Sequence, residues 1–133
     1  MSTQQTAPTR GRAAHLSLWV LQVLLAVFFL LAAAGPKLLG EQTAVEVFDD
    51  IGAGQWFRYV VGVLELAGAV GLVIPRLAGL AALGLVGIMV GATFTQLVIL
   101  GAPVLAITPV ILGALLGVVA WGRFPQTRDL IAA

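Results

Sequence analysis

Four long apolar stretches divide this chain, and each is bounded by glycine, proline or charged residues. They cover residues 16–34, 57–74, 77–100 and 103–121. A helix rises about 1.5 Å per residue, so stretches of this length are comparable with a hydrocarbon core about 30 Å thick. The connections after the second and third stretches are so short that neighbouring helices must lie antiparallel. The pattern therefore predicts an all-α fold, an integral membrane four-helix bundle in up-down-up-down order.

A shorter segment between the first two stretches mixes acidic and apolar residues. Ala44, Phe48 and Ile51 fall on one face at helical spacing, and Gly52 supplies a stop. We expect a short amphipathic helix near residues 41–51 that lies on the outer surface of the bundle. An irregular acidic loop is the alternative.

The same pattern divides the chain into three parts. Residues 1–14 are predicted as a flexible cytoplasmic tail, because they contain almost no large apolar side chain. Residues 15–122 form the predicted four-span membrane domain, and residues 123–133 form a second cytoplasmic tail. Arginines before an apolar run that ends in three alanines also imitate a cleaved signal peptide. The run is longer than the usual h-region of about 7 to 15 residues, so we expect a retained first span.

The basic residues predict the orientation. In a four-span arrangement, five arginines lie on one side, whereas Lys37 and Arg58 lie on the other with four acids. The positive-inside rule then places both termini in the cytoplasm. We expect a multi-pass protein in the lipid bilayer of the bacterial cytoplasmic (inner) membrane. The five arginines are Arg10, Arg12, Arg76, Arg123 and Arg128.

The composition excludes several kinds of chemistry. Hydrophobic residues make up 60% of the chain and charged residues 10%, and the formal net charge of +1 favours no nucleic acid partner. Without cysteine, this chain can form neither a disulfide nor a thiol relay. His15 is the single histidine, so we expect no haem or metal site. No catalytic set is complete, which argues against an autonomous enzyme.

One acid, Glu65, lies roughly halfway along the second apolar stretch. A charged side chain at the centre of the bilayer costs about 2.5 to 3.5 kcal/mol even on insertion scales. Glu65 must therefore face a polar partner inside a helix bundle or stay protonated. Lys37, at the outer end of the first stretch, is the expected partner because its long side chain can reach along the helix.

Further polar residues are predicted to reach a similar depth in the outer half of the bundle, where we expect a small polar pocket. Arg58, two turns above Glu65, is expected to cap its mouth. The alternative is a network that only fixes helix register, since polar contacts between membrane helices average about 0.6 kcal/mol. Thr93 and Thr95 are also expected to bond their own helix carbonyls. The candidate pocket residues are Glu65, Lys37, Gln96, Thr93, Thr108 and Arg58.

Small residues four apart recur in the last three stretches, and such pairs let membrane helices approach closely. We interpret them as sites of helix packing within the bundle. The pairs are Ala67 with Gly71, Ala78 with Ala82, Gly87 with Gly91, and Gly113 with Gly117.

Four short motifs occur in a consistent order: GPKL at 35–38, GVLELAG at 62–68, LVIPR at 72–76 and MVGA at 89–92. Over residues 16–120 this set resembles DoxX-like membrane proteins. The resemblance implies a four-helix membrane bundle, sometimes a subunit linked to sulfur or thiosulfate oxidation with quinone reduction. In actinobacteria it implies a partner of oxidative-stress and thiol-homeostasis proteins.

The resemblance also extends to single residues. Lys37 and Glu65 match the polar signature of the family, and Pro75 matches its turn. Gln96 stands near the outer end of the third stretch, where many relatives have a histidine.

Three functional hypotheses follow. The first is an accessory subunit that binds a small hydrophobic or quinone-like molecule in the pocket and assembles with a redox enzyme partner. The second is a scaffold or assembly factor, in which Glu65 and Lys37 only hold the bundle together. The third is a small-molecule permease that works as a homo-oligomer.

Overall fold

The computed structural model describes residues 3–132, and the side chains of residues 11–131. All regular structure in this part of the chain is helical, which confirms the all-α prediction. Two π turns, Phe29–Ala34 and Thr95–Ile99, and a 3-10 turn, Pro103–Ala106, interrupt or precede the helices. The helices are α1 (Thr3–Phe28), α2 (Gly35–Leu39), α3 (Gln42–Ile51), α4 (Gln55–Leu72), α5 (Ala78–Phe94), α6 (Ile107–Gly122) and α7 (Phe124–Ala132).

Four helices build the core. Helices α1, α4, α5 and α6 contact one another in that order, and α6 returns to α1, so their contacts close a ring. Large apolar side chains with almost no exposed surface fill the interior of this ring, since burial of apolar area stabilises the packed helices. They include Phe29, Leu72, Leu85, Leu116 and Val119.

Three helical stretches of the described chain are long and apolar enough to cross a membrane, over residues 11–39, 78–99 and 103–122. Helix α4, which was predicted as the second span, is not among them. It begins with Gln55 and carries Arg58 and Glu65, and these polar side chains lower its hydropathy. The order of membrane crossings and the cytoplasmic position of the termini stay predictions.

The structure confirms the amphipathic helix predicted near residues 41–51. Helix α3 begins after Glu41, whose carboxylate accepts a hydrogen bond from the Ala44 N–H at 3.3 Å. The carboxylate thereby satisfies one of the N–H groups that have no partner at the start of a helix. Gly52, in the left-handed conformation with φ of 83°, ends the helix.

Both predicted tails overlap helices. Residues 1–14 are helical from Thr3 onward, while Met1 and Ser2 lie outside the described residues. The mobility of this segment stays a prediction. At the other end, α7 occupies most of residues 123–133.

The small residues divide into two groups. A Cβ atom at Gly71 would lie 2.7 Å from Ala81 Cβ, and Ala78 and Ala82 are fully buried, so these positions do bring α4 and α5 close together. By contrast, a Cβ atom at Gly87 or Gly91 would meet nothing within 4 Å. The expectation that this pair packs helices within the bundle was therefore wrong, because both residues are exposed and no other helix of the described chain packs against them. Gly117 has the same open surroundings, whereas a Cβ at Gly113 would lie 3.4 Å from Met89 Cβ.

This difference predicts opposite effects for two similar substitutions. Gly71→Ala should destabilise the protein by about 1 to 3 kcal/mol, because the new methyl group forces α4 and α5 apart. Gly87→Ala has free space and should be neutral or stabilising by up to about 1 kcal/mol, since alanine favours a helix more than glycine does. Thermal unfolding in detergent measures both. Equal effects would contradict the packing described for these positions.

The lack of native cysteine permits a direct test of orientation. Asp50→Cys and Asp129→Cys each introduce one exposed thiol, near the C-terminal end of α3 and within α7, respectively. In intact cells, a membrane-impermeant maleimide should label only the first variant, and permeabilisation should expose the second. Labelling of Asp129→Cys in intact cells would contradict the predicted orientation.

Candidate functional site

A lysine and a glutamate from two helices meet within the bundle. Lys37 Nζ, on α2, lies 3.0 Å from Glu65 Oε1, on α4. The Glu65 side chain is 3% exposed and the Lys37 side chain 20%, so solvent screens this ion pair little. The two residues predicted to pair therefore do so in the structure.

The position of Lys37 depends on a disturbance in the preceding helix. Pro36 has no N–H group, and its ring crowds the carbonyl group four residues earlier. The helix widens into the π turn Phe29–Ala34, in which the Gly35 N–H donates to Leu30 O, and it then resumes as α2. Gly35 and Pro36 follow the first apolar stretch but do not end the helix, which continues to Leu39.

Lys37 has further contacts that hold its side chain beside α4. Its ammonium group also donates to Ala33 O at 3.3 Å, one turn back along its own helix. On α4, a Cβ atom at Gly62 would lie only 3.1 Å from Lys37 Cβ. The absence of a side chain at Gly62 therefore lets the two helices approach, and the approach brings the ammonium group within reach of Glu65.

The ion pair belongs to the lining of a cavity of about 380 Å³. Its volume lies within the range of about 300–1,000 Å³ that is usual for small-molecule sites. Apart from the ion pair and two polar residues of the π turn Thr95–Ile99, the wall is apolar. Apolar contributions from α3 and α4 include Val47, Phe48, Ile51, Phe57, Val61 and Leu64.

The two polar residues on the π turn after α5 complete the lining. The Thr95 hydroxyl donates to Gly91 O at 2.8 Å, as expected of a threonine that bonds its own helix. Gln96 Oε1 is buried and accepts no hydrogen bond from the described residues. A buried acceptor without a partner costs about 1 to 3 kcal/mol, and a hydrogen-bond donor in the cavity would recover that cost.

One π turn lines this cavity, and the other lies just before Lys37 in the chain. The turn Phe29–Ala34 precedes Lys37 by three residues, and Thr95 and Gln96 belong to the turn Thr95–Ile99. Single π turns in α-helices occur frequently at functional sites. The two irregular segments therefore point to the same part of the molecule.

Helix α3 covers one side of the cavity. Phe48 is buried there, and its ring centroid lies 5.8 Å from that of Phe57 in an edge-to-face arrangement. The side-chain amide of Gln55 donates to Val45 O at 3.0 Å and to Asp49 Oδ1 at 2.9 Å. Gln55 thus fastens α3 to the start of α4. This role of Gln55 was not predicted from the sequence, in which the residue only stands just before an apolar stretch.

Arg58 is buried and joins α2 to the start of α4. It is 5% exposed, its Nε donates to Gln55 Oε1 at 2.6 Å, and its Nη1 donates to the Lys37 carbonyl oxygen. Its guanidinium carbon lies 4.3 Å from the centroid of the Tyr59 ring. Arg58 does not line the cavity, and instead of capping its mouth it caps the carbonyl end of α2 and orients Gln55.

Two predicted pocket residues lie elsewhere. The Thr93 hydroxyl donates to Met89 O at 2.8 Å, and the residue borders a separate apolar groove between α5 and α6. Thr108 is exposed near the start of α6. The structure therefore brings together Lys37, Glu65 and Gln96, and it leaves both threonines outside their cavity.

A second polar cluster, which was not predicted from the sequence, lies at the opposite end of the helical ring. Arg123, after α6, donates from Nε to Gln22 Oε1 at 2.7 Å, and its Nη1 lies 2.9 Å from His15 Nδ1. Gln22 in turn donates to Leu72 O at 2.7 Å, and the Thr127 hydroxyl donates to Arg123 O at 3.2 Å. The cluster joins α1, α4, α6 and α7. The signal in the sequence was Gln22, a polar residue within an otherwise apolar stretch.

The guanidinium group of Arg123 is held by neutral acceptors. Burial lowers the pKa of Arg123 below its ordinary value. An arginine nevertheless stays charged near neutral pH, because its ordinary pKa lies far above neutrality. A positively charged Arg123 requires the lone pair of His15 Nδ1 for this contact, so the imidazole accepts at that atom.

The described residues contain no group of three or more histidine, aspartate or glutamate side chains that could hold a metal ion. The site therefore offers an ion pair, an unpaired amide oxygen and an apolar wall. Such a set can orient a small apolar molecule that has a polar group at one end.

Comparison with protein families gives one match. Residues 20–119 match the family described as DoxX-like, and this range covers more than half of the chain. No curated protein sequence matches. No solved structure matches either.

The bonds of Gln55 predict how firmly α3 is held. Gln55→Leu keeps a similar volume but removes the donors to Val45 O and Asp49, so α3 should detach more often and its amide hydrogens should exchange about five- to tenfold faster. Hydrogen exchange measured by mass spectrometry reports this. Gln42→Leu is the matched control, because Gln42 bonds only to Glu46 within α3. Equal exchange rates in the two variants would contradict the role of Gln55.

Proposed function

The chain belongs to the DoxX-like family, and on that premise we propose that it is a membrane accessory subunit that binds a small, mostly apolar molecule, a quinone being the expected example. It works beside a redox partner rather than as an autonomous enzyme. The proposal places it in the bacterial inner membrane as a multi-pass protein with both termini in the cytoplasm. The observation that carries the proposal is the cavity whose lining includes Lys37, Glu65 and Gln96.

The polar groups of this cavity suit a molecule with oxygen atoms at one end. The Lys37 ammonium group can donate to a carbonyl oxygen, and Glu65 and Gln96 can accept from a hydroxyl group. A quinone, when bound, supplies the redox chemistry that these side chains lack. The apolar residues of α3 and α4 exclude water from the apolar part of the bound ligand.

The ion pair also has a role in holding a proton near such a ligand. Lys37 Nζ lies 3.0 Å from Glu65 Oε1 and supplies the opposite charge that a carboxylate in this apolar wall requires. The Glu65 carboxylate, beside the Lys37 ammonium group, can accept a proton from a hydroxyl group of the ligand and return it. This chemistry fits the oxidative-stress or thiol-linked systems implied by the family resemblance.

A scaffold function is the second candidate, and one observation favours it. Lys37 Nζ already contacts both Ala33 O and Glu65 Oε1, so the pair satisfies itself within the chain. Such a pair can fix the register of α2 against α4 without any ligand. The two functions differ in what they require of Gln96. Its Oε1 accepts no hydrogen bond from the described residues, so a scaffold does not need it, whereas a bound ligand would donate to it.

Gln96→Leu is therefore the decisive variant. We expect it to weaken binding of a short-chain quinone roughly three- to tenfold, the effect of one lost hydrogen bond, with no loss of thermal stability. Quenching of the fluorescence of the three tryptophans measures the binding. Thr93→Val is the control, because Thr93 lies outside the cavity.

Variants of the ion pair provide a second test of quinone binding. Glu65→Gln and Lys37→Met should each abolish quinone binding and also lower stability, because each leaves one polar partner buried without the other. Mass spectrometry of lipid extracts from the purified wild-type chain should find a copurified quinone. If the wild type carries and binds no quinone, while these two variants lose only stability, the scaffold function stands instead.

A further inference from the structure

The charged residues of the described chain separate to two ends of the helical ring. Four acids lie on or beside α3, close to Lys37 and Arg58. The other end contains four arginines, and Asp129 is the only carboxylate described there. Contacts of Arg123 with His15 and of Thr127 with Gly79 hold the segments of this end together. We name it the basic end, and it comprises Arg12, Arg76, Arg123 and Arg128.

Arg123 gives the basic end a buried positive charge. Its side chain donates to Gln22 Oε1 and to His15 O and contacts His15 Nδ1, and its guanidinium carbon lies 5.7 Å from the centroid of the Trp19 ring. None of these partners is negatively charged. No salt bridge neutralises Arg123 within the side chains that the structure describes.

The other three arginines of the basic end are exposed. Arg76 lies in the connection between α4 and α5, three residues before Gly79, which packs against Thr127. Arg128 directly follows Thr127, so these two arginines lie on adjoining segments. Arg12 lies one helical turn before His15. We call these three exposed arginines the rim of the basic end.

Exposed apolar side chains accompany this rim. Trp121, Phe124 and Ile131 are each more than half exposed, although Thr127 between them is buried. An amphipathic helix with aromatic and basic side chains is typical of the boundary between lipid headgroups and acyl chains. Helix α7 therefore has the composition of a segment that lies in that boundary.

We propose that the basic end binds the headgroups of anionic phospholipids. The exposed arginines Arg12, Arg76 and Arg128 contact the phosphate and the headgroup, while Trp121 and Phe124 lie among the upper acyl chains. Arg123 adds its buried charge at the same end. Charge complementarity favours this occupant, because the basic end presents three exposed cations and one carboxylate beside an apolar surface.

Native mass spectrometry of the full chain in a neutral detergent tests the proposal. The probes are dioleoyl phosphatidylglycerol and, as the zwitterionic reference, dioleoyl phosphatidylcholine. We expect tighter binding of phosphatidylglycerol. One arginine near an anionic membrane surface corresponds to roughly a fivefold change in affinity, so Arg76→Gln with Arg128→Gln should weaken that binding roughly 25-fold.

The matched control is Arg76→Lys with Arg128→Lys, which keeps both charges and should stay within about fivefold of the wild type. Inorganic phosphate at the concentration of the lipid should not displace phosphatidylglycerol. Equal binding of the two lipids, unchanged binding after both glutamine substitutions, or displacement by phosphate alone would each overturn the proposal.

A variant with the opposite expected effect covers the case in which the glutamine variants fail to fold. Asp129→Asn removes the single described carboxylate of the basic end. It should tighten phosphatidylglycerol binding roughly fivefold and leave phosphatidylcholine binding unchanged. Unchanged or weaker binding of phosphatidylglycerol to this variant would contradict the proposal.

Discussion

The contact between Lys37 and Glu65 is the interaction on which the candidate site depends. Each charge alone would be costly among apolar helices, whereas a pair at 3.0 Å, with a further bond from Lys37 to Ala33 O, is tolerable. The requirement to keep the pair together sets the position of α2 along α4. The cavity follows from this alignment, because its wall is formed by the helices that meet around the pair.

Two buried arginines hold the helices at opposite ends of the ring, and both use neutral acceptors. Arg58 donates to the Lys37 carbonyl oxygen and to Gln55, while Arg123 donates to Gln22 and contacts His15. A planar guanidinium group with several fixed donors suits such junctions, since it can join two or three segments at once. The two ends nevertheless differ in charge. One is covered by the acidic helix α3, and the other is basic.

The sequence was sufficient for the features that depend on local pattern and on the cost of a buried charge. Apolar runs predicted the helices, the spacing of Ala44, Phe48 and Ile51 predicted α3, and the position of Glu65 required a partner. Features that depend on the rotation of one helix against another were beyond it. Gln96 and Thr108 were both predicted to line the pocket. Gln96, on the π turn after α5, does line the cavity, whereas Thr108 is exposed near the start of α6.

Contacts between distant segments were also not predictable. The role of Gln55 requires α3 to fold back on α4, and the cluster around Arg123 requires the first and last helices to be neighbours. The prediction for Gly87 and Gly91 was wrong for a related reason. A spacing of four residues places two glycines on one face of a helix, but it does not show what lies opposite that face. Gly71 faces Ala81, whereas Gly87 faces open space.

The separation of Arg123 from Gln22 and His15 has a consequence for biosynthesis. These partners are 101 and 108 residues apart in the chain, so their bonds cannot exist until the last helix has left the ribosome. Domains form from the N-terminus during synthesis, and the first three helices of the ring must therefore wait, with Gln22 still lacking its arginine partner. The hydrogen bond of Arg123 to Gln22 and its contact with His15 therefore form only after α6 has been synthesised, and a chain that stops before Arg123 lacks both.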